Sequence, residues 1–289
     1  MKTFNVRPKI TPKVFSKTKI NSDRKSLKYG FHTTEIIVDS EVPKPIWNLA
    51  FDSVIREINM SRSVNPYEKY KLTLDNKAIW ELEKNDEKQI DAPPPMMVIY
   101  YAICHILDVL YANDPIARFM FLETLARQPY FSYVSLYHLY ETIGLWSIAT
   151  NCKILHLQQE NNECAHLKIM EELGGSRKWK DRFLSRHAAL AYYTVLLVFF
   201  MVSPRLAYLS SQLLENHAKH TYSQFIVENS EILKTMPLTE SVDGYIPVLT
   251  NSCDMKTLYD VFCNIMEDEV THSETMEFLI CDSGDECNV

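Results

Sequence analysis

The sequence predicts an all-α protein whose middle is a helical bundle flanked by two unusually apolar helices. Three observations carry that expectation. Glycine is scarce, 6 in 289 residues, well below ordinary usage of about 7%, which disfavours glycine-rich phosphate loops and turn-dense β architectures. Hydrophobic residues make up 46% and charged residues 23%, a composition that folds around a core and excludes a disordered or collagen-like chain. From residue 96 onward the apolar residues recur at three- and four-residue intervals, the period of a helix buried on one side.

Taken in order, residues 1–29 hold nine basic groups and one acid, Asp23, so a net charge of −7 leaves −15 on the remainder. A globally basic nucleic-acid surface is thereby excluded. No apolar core segment follows the basic start, so it is no secretory signal; an organelle transit segment and a disordered basic tail both fit. Residues 30–95 read as an irregular arm with one helical patch near Trp47–Ile58, closed by Ala92-Pro93-Pro94-Pro95. The main domain is then 96–280, followed by an acidic tail at 281–289. Seven cysteines without a CxxC pair read as reduced thiols.

Within the main domain the expected helices are Met96–Leu110, Ile116–Ala126, Tyr133–Ile143, Asn151–Leu173, Lys180–Val202, Arg205–Asn229 and Thr257–Leu279. Gly174-Gly175 ends one of them. Ser203-Pro204 opens another, with Ser203 as the N-cap and Pro204 in the first helical position. Residues 236–256, with Pro237, Gly244 and Pro247, read as a loop. The run 188–202 is apolar except for Thr194. Fifteen helical residues reach roughly 22 Å, short of a bilayer core of about 30 Å. That run and Met96–Leu110 therefore suit helices lying in one membrane leaflet, or else a pair of buried core helices.

Chemistry is concentrated on four helices. Leu258, Phe262, Ile265, Glu269, His272, Met276 and Leu279 make one stripe, apolar at both ends with a carboxylate and an imidazole between. The helix at 151–173 repeats the pattern with His156, Gln159, Glu163, His166, Met170 and Leu173. Glu123 and Glu215 sit among apolar residues on two further helices. A lone Glu on such a helix is usually solvated, and a lone His is usually a hydrogen-bonded core residue. Burying carboxylates costs several kcal/mol unless they are paired or bind metal. One Glu from each of two helices plus Glu-x-x-His from each of two others is the ligand set of ferritin-like di-iron four-helix bundles. Four carboxylates neutralise two ferrous ions, and nitrogen–oxygen ligands suit non-haem iron and O2 chemistry, with zinc or manganese equally compatible by ligand type.

At these residues the chain resembles the alternative oxidases, the di-iron quinol oxidases, and is nearer their plastid terminal oxidase branch. The likeness is carried by ARFMFLETLARQPYFSYVSLYHLYETIGLW (117–146), NNECAHLKIMEELGG (161–175), SPRLAYLSSQLLENHAKHTY (203–222) and LYDVFCNIMEDEVTH (258–272). LENHA is closer to the plastid ESHA than to the mitochondrial LEEEA, and MEELGG, SPRLAY and LYDVF are plastid-like. Two features depart from the plastid pattern: a much shorter loop between Met236 and Leu258, and NNECAHL in place of NEMHHL. The first 90 residues match nothing in the family.

The resemblance implies two Fe ions held by Glu123, Glu163, His166, Glu215, Glu269 and His272. It implies a redox-active tyrosine at Tyr222, orienting residues at Asn162 and Asp268, and a quinol pocket lined by Arg118, Leu122, Ala218 and Thr221. It further implies oxidation of plastoquinol or ubiquinol, with O2 reduced to water and no proton pumping. The enzyme would be monotopic on one lipid leaflet and a homodimer in the plastid thylakoid or, alternatively, the mitochondrial inner membrane; by its charge it is not expected to bind nucleic acid. Two rival readings are a di-iron hydroxylase or desaturase of a lipid-like substrate and a metal-free helical scaffold on a membrane surface.

Overall fold

A computed structural model describes residues 26–27, 36–37, 55, 64–145, 150–248 and 255–282. The chain divides into two units, residues 1–58 and 59–289. In the first, strands β1 (Ser26–Leu27) and β2 (Ile36–Ile37) pair antiparallel, Ser26 opposite Ile37. The helical patch expected near Trp47–Ile58 lies outside the described residues except for Ile55, which is helical. The basic start and most of the acidic tail lie outside them as well.

The second unit is helical, as expected: α1 (Asn76–Lys84), α2 (Pro94–Leu110), α3 (Pro115–Thr142), α4 (Thr150–Glu172), α5 (Trp179–Val202), α6 (Pro204–Leu233), a 3-10 turn at Glu240–Gly244 and α7 (Leu258–Asp282). Helix α6 packs on α7, and α3 packs on both α4 and α5. One apolar cluster, including Phe119, Met170, Phe225 and Phe262, closes one end of the bundle. A second, including Tyr133, Tyr208, Phe200 and Met276, closes the other. Along each of α3, α4, α6 and α7 the acidic and histidine residues fall between these two clusters.

Four expectations are corrected. The arm is not irregular throughout, because α1 forms over residues 76–84. Asp75 starts it by accepting from the N–H groups of Lys77 (2.9 Å) and Ala78 (3.4 Å). The expected break between Ala126 and Tyr133 is absent, and α3 continues through Pro129. An interior proline costs about 3 kcal/mol. Here its ring is buried, and Ser132 Oγ donates to the Pro129 carbonyl at 2.6 Å. Burial on both sides of the proline outweighs the missing N–H. Ser203 begins α6, but its hydroxyl makes no capping bond. Its N–H closes α5 on the Phe199 carbonyl (2.7 Å) and its carbonyl accepts from Leu206 N–H (3.0 Å), so the backbone serves both helices. Of the thiols, Cys104, Cys164, Cys263 and Cys281 are free as expected, whereas Cys152 is disulfide-bonded. Sequence spacing carries no signal for a bridge set by tertiary proximity.

Helix α5 is 24 residues long, beyond the fifteen of its apolar run, and by length and composition alone it is long and apolar enough to cross a membrane. Only 22% of its most apolar stretch is buried, so it is not a core helix. Leu190, Val195, Val198 and Met201 are exposed on it, and Val98, Ile103, Ile106 and Val109 are exposed on α2.

The junction of α4 with α3 depends on two glycines. Gly174 has φ +105°, a region side chains rarely adopt. Gly175 N–H bonds the Met170 carbonyl at 2.9 Å and Gly174 N–H bonds the Glu171 carbonyl at 3.0 Å, which terminates α4. A Cβ on Gly175 would meet the Ile116 carbonyl oxygen and Met120 Cβ, each at 2.7 Å. Gly175→Ala is therefore expected to destabilise the fold by about 1–3 kcal/mol, as overpacking does. Denaturant unfolding checks this, and an unchanged midpoint would refute the close approach.

Candidate metal centre

Helix α3 contributes Glu123, α4 contributes Glu163 and His166, α6 contributes Glu215, and α7 contributes Glu269 and His272. The three-residue spacing in α4 and α7 places each carboxylate and imidazole on one face. All six side chains are at most 1% exposed. They form two groups, Glu123–Glu163–His166–Glu269 and Glu163–Glu215–Glu269–His272, within each of which the donor atoms lie within 4.8 Å of one another. Glu163 and Glu269 belong to both groups, as carboxylates bridging two cations would.

The donor atoms have few protein partners. Nine of them have no hydrogen bond: Glu123 Oε2, both oxygens of Glu163 and of Glu269, Glu215 Oε2, His166 Nδ1 and both nitrogens of His272. His166 Nδ1 lies 3.3 Å from Glu269 Oε1 and 3.5 Å from Glu123 Oε2, close but not aligned as hydrogen bonds. Buried polar atoms are normally satisfied, so nine orphans from six residues converging on one volume fit a pair of cations. Four carboxylates and two imidazoles also suit divalent transition metals.

The electrostatics agree. Burial and the Glu163 carboxylate push Glu123 up to about 8. The same two causes push Glu215 up to about 7. Burial, Glu163 and Glu123 push Glu269 well above the carboxylate range. Burial also acts to raise Glu163, but the imidazoles of His272 and His166 outweigh it and hold this group low. The carboxylates thus need compensating positive charge to be ionised together.

Around the centre, His166 Nε2 lies 3.2 Å from Asp268 Oδ2. That oxygen also accepts from Asn162 Nδ2 (2.9 Å) and the Tyr245 hydroxyl (2.7 Å), while Oδ1 accepts from Val248 N–H (2.7 Å). Bonded in this way, the imidazole turns Nδ1 toward the cluster. Asn162 and Asp268, for which the family resemblance implies an orienting role, are hydrogen-bonded to each other beside His166. The Tyr222 hydroxyl donates to Glu123 Oε1, and its ring stacks on Phe119 at 4.2 Å. Burial and the Glu123 carboxylate raise Tyr222 well above the phenol range, so it keeps its proton.

Arg118, Leu122, Ala218 and Thr221 are all buried. The Arg118 guanidinium is held by Asp108 Oδ1 (2.6 Å), Asn76 Oδ1 (2.9 Å) and His217 Nε2 (2.9 Å). Thr221 Oγ1 donates to the His217 carbonyl at 2.7 Å. Sequence reasoning missed three participants. Tyr130, whose hydroxyl donates to Glu215 Oε1 at 2.9 Å, lies seven residues past Glu123 on the same face, a signal that was available. Tyr245 and Val248 sit outside any helix, where no periodicity marks them.

A family model described as alternative oxidase matches residues 96–280, which include all six clustered residues. The chain is 40% identical over 196 residues to an Arabidopsis thaliana protein named ubiquinol oxidase 4, chloroplastic/chromoplastic, covering 61% of this chain and 54% of that protein. It is 29% identical over 179 residues to ubiquinol oxidase 2, mitochondrial, of Arabidopsis thaliana, covering 59% and 47%. It is 28% identical over 172 residues to the mitochondrial ubiquinol oxidase of Mangifera indica, covering 59% and 52%. The chain spans about half the length of these curated relatives.

Metal removal is expected to lower the thermal midpoint, because the cluster then loses its compensating charge, and readdition of a divalent transition metal should restore it. Asp268→Asn keeps the shape but weakens the grip on His166, so metal affinity should fall about 10–100-fold. Calorimetric titration of the stripped protein measures both. Identical affinity in the variant would remove Asp268 from this role.

Proposed function

The chain belongs to the alternative oxidase family, and from that premise we propose that it is a membrane-associated quinol oxidase whose oxidase domain is residues 96–280. The observation that carries the reading is the convergence of nine donor atoms without hydrogen bonds in two groups sharing Glu163 and Glu269. The metal is a pair of iron ions held by Glu123, Glu163, His166, Glu215, Glu269 and His272. Iron in that position supplies the redox chemistry that couples oxidation of two quinols to four-electron reduction of O2 to two waters, without proton pumping.

The chain's own residues do the rest. Asp268, steadied by Asn162 and Tyr245, fixes the direction of His166. Tyr222 holds a protonated hydroxyl against Glu123, where it can yield an electron and a proton together. Arg118, Leu122, Ala218 and Thr221 form the site for the quinol headgroup, beside Glu123 on α3 and Glu215 on α6. The 40% identity to a relative named a chloroplastic/chromoplastic ubiquinol oxidase supports a quinol substrate, plastoquinol or ubiquinol, and a plastid location, which we place at the thylakoid membrane. The exposed apolar faces of α2 and α5 support attachment to one leaflet, from which a lipid-soluble quinol enters sideways. Exposed Phe131 and Leu139 on α3 and Ile154 and Leu157 on α4 support a homodimer.

The decisive experiment is cyanide-insensitive, quinol-dependent O2 uptake with iron analysis of the same sample. Glu215→Ala and Glu269→Ala should lose iron and activity together, since each removes one of the compensating charges; full activity in either excludes that residue as a ligand. Tyr222→Phe should keep the irons and the Phe119 stack yet lose most turnover, and wild-type turnover would reduce Tyr222 to a packing role. Membrane attachment should resist high-salt and carbonate washes and yield to detergent, because burial of apolar area contributes roughly 25 cal/mol per Å2. Release by salt alone would overturn the leaflet model.

A further inference from the structure

Helix α1 precedes the matched region 96–280, and one face of it makes polar contacts with the bundle. Asn76, Trp80 and Glu83 recur at four- and three-residue intervals, so they share that face. Asn76 Oδ1 accepts from Arg118 Nη1 at 2.9 Å, and Asn76 Nδ2 donates to the Asp108 carbonyl at 3.2 Å. Trp80 Nε1 donates to Asp108 Oδ2 at 2.8 Å, and Asp108 Oδ1 accepts from Arg118 Nη1 at 2.6 Å. Glu83 accepts from the Tyr100 hydroxyl at 3.1 Å through Oε2 and is bonded to His217 Nδ1 through Oε1. Nε2 of the same imidazole lies 2.9 Å from Arg118 Nη2. A guanidinium only donates, so Nε2 accepts and the ring proton sits on Nδ1, facing Glu83.

Burial acts to lower the proton affinity of His217, but Cys104 and Glu83 outweigh it. The lone pair on Nε2 is therefore a strong acceptor, and the guanidinium beside it keeps a second charge off the ring. Arg118 is thus held at both terminal nitrogens, and each hold leads back to α1. Its third nitrogen, Nε, is buried and has no hydrogen bond among the described residues. Buried donors are normally satisfied. A helix that only covered an apolar surface would carry apolar residues on this face, as it does at Ile79. Polar residues that grip the two ends of a buried guanidinium and leave its middle donor open fit an acceptor oxygen that comes from outside the chain.

We propose that α1 is a positioning element for the substrate headgroup: Asn76 directly, Trp80 through Asp108 and Glu83 through His217 hold the Arg118 guanidinium so that its Nε–H is left to donate to a quinol oxygen. The proposal rests on the quinol oxidase reading above and adds to it three residues that act on the headgroup only through Arg118. A quinol hydroxyl oxygen and a quinone carbonyl oxygen both accept, so the contact serves substrate and product alike. It belongs to binding rather than to the chemical step, and an interaction made equally in both states changes KM and leaves kcat. Without the Glu83 carboxylate the Nδ1–H of His217 has no acceptor, the ring is free to turn, and Arg118 Nη2 loses its hold. The guanidinium then rotates, and Nε–H no longer has a fixed direction.

The test uses the full-length, iron-loaded protein in detergent. Binding of decylubiquinone is followed by quenching of tryptophan fluorescence, and O2 uptake is titrated with decylubiquinol. Glu83→Ala and Asn76→Ala should each raise Kd and KM about 10-fold, as loss of one hydrogen bond to a charged group does. Their kcat at saturation should stay within about twofold of wild type. Glu83→Gln keeps an oxygen for the His217 Nδ1–H and should bring both constants back to within about twofold of wild type. Glu81→Gly weakens α1 from its exposed face without touching these contacts, and should leave Kd and KM unchanged. Iron content should match wild type in all four variants. Unchanged Kd and KM in both alanine variants, a rise in Glu81→Gly equal to theirs, or a loss in Glu83→Gln equal to that in Glu83→Ala would overturn the positioning role and leave the oxidase reading intact. Absence of iron or of quinol-driven uptake in the wild type would overturn the oxidase reading, and the proposal with it.

Discussion

Like charges crowded into a space without water are the constraint around which this bundle is built. Two unit charges about 4 Å apart repel by about 4 kcal/mol at an effective dielectric near 20, and four carboxylates meet here with no solvent between them. Glu163 shows the consequence most clearly. Two imidazoles hold it ionised, and its charge in turn helps drive Glu123, Glu215 and Glu269 toward protonation. The Tyr222–Glu123, Tyr130–Glu215 and His272–Glu163 contacts join helices at the centre, but the crowded carboxylates oppose them unless cations are bound. Cohesion must come from the apolar clusters at the two ends, where Phe119, Phe225 and Phe262 close one side and Tyr133, Phe200 and Tyr208 the other. The ends hold the donors close, and closeness makes the centre a strong site for positive charge.

Orientation is a separate requirement, and the two histidines meet it unequally. His166 is tied through Nε2 to Asp268, which three further contacts hold in place, from Asn162, Tyr245 and the backbone N–H of Val248. His272 has neither nitrogen hydrogen-bonded. Its Nδ1 is placed by proximity to Glu163 Oε1 at 2.5 Å and by packing beside Tyr130. The two donor groups are therefore chemically alike but differently supported, with a rigid second layer on the Glu123 side and aromatic rings on the Glu215 side. Each side nevertheless has one phenol bonded to a carboxylate: Tyr222, stacked on Phe119, at Glu123, and Tyr130, beside His156, at Glu215.

The four-helix arrangement and all six clustered side chains were legible in the sequence because both follow one rule. A stripe at three- and four-residue spacing faces the core, and although a lone carboxylate in one is usually solvated, four of them with two histidines on four such stripes point to a common buried centre. Tyr222 came from the family resemblance, and its place seven residues past Glu215 agrees with it. What was not legible depends on partners distant in sequence. Pro129 looked like a helix end because its own chemistry favours one, and only burial on both sides explains why α3 runs on. Ser203 looked like a cap by residue type, but a junction with no spare residue lets the backbone do that work. Tyr245 and Val248 reach Asp268 from a segment that carries no period. The α1 helix was hidden because a helix of nine residues is marginal alone.

Tertiary charge is what makes α1 stable, and it ties the arm to the site. Arg118 is fully buried, and an isolated guanidinium there would carry a large desolvation penalty. Asp108 of α2 neutralises it, and Asn76 at the start of α1 shares the same nitrogen. Its other terminal nitrogen meets His217 of α6, whose Nδ1 is bonded to Glu83 near the end of α1. Trp80, between them on α1, donates to Asp108 at 2.8 Å. One face of a short helix is thereby locked to α2, α3 and α6 through a single buried cation. The matched family region begins only at residue 96, yet the groups that complete the surroundings of Arg118 come from residues 76–83. Helix α1 is in that sense part of the surroundings of Arg118 as much as the bundle that carries the clustered carboxylates and histidines.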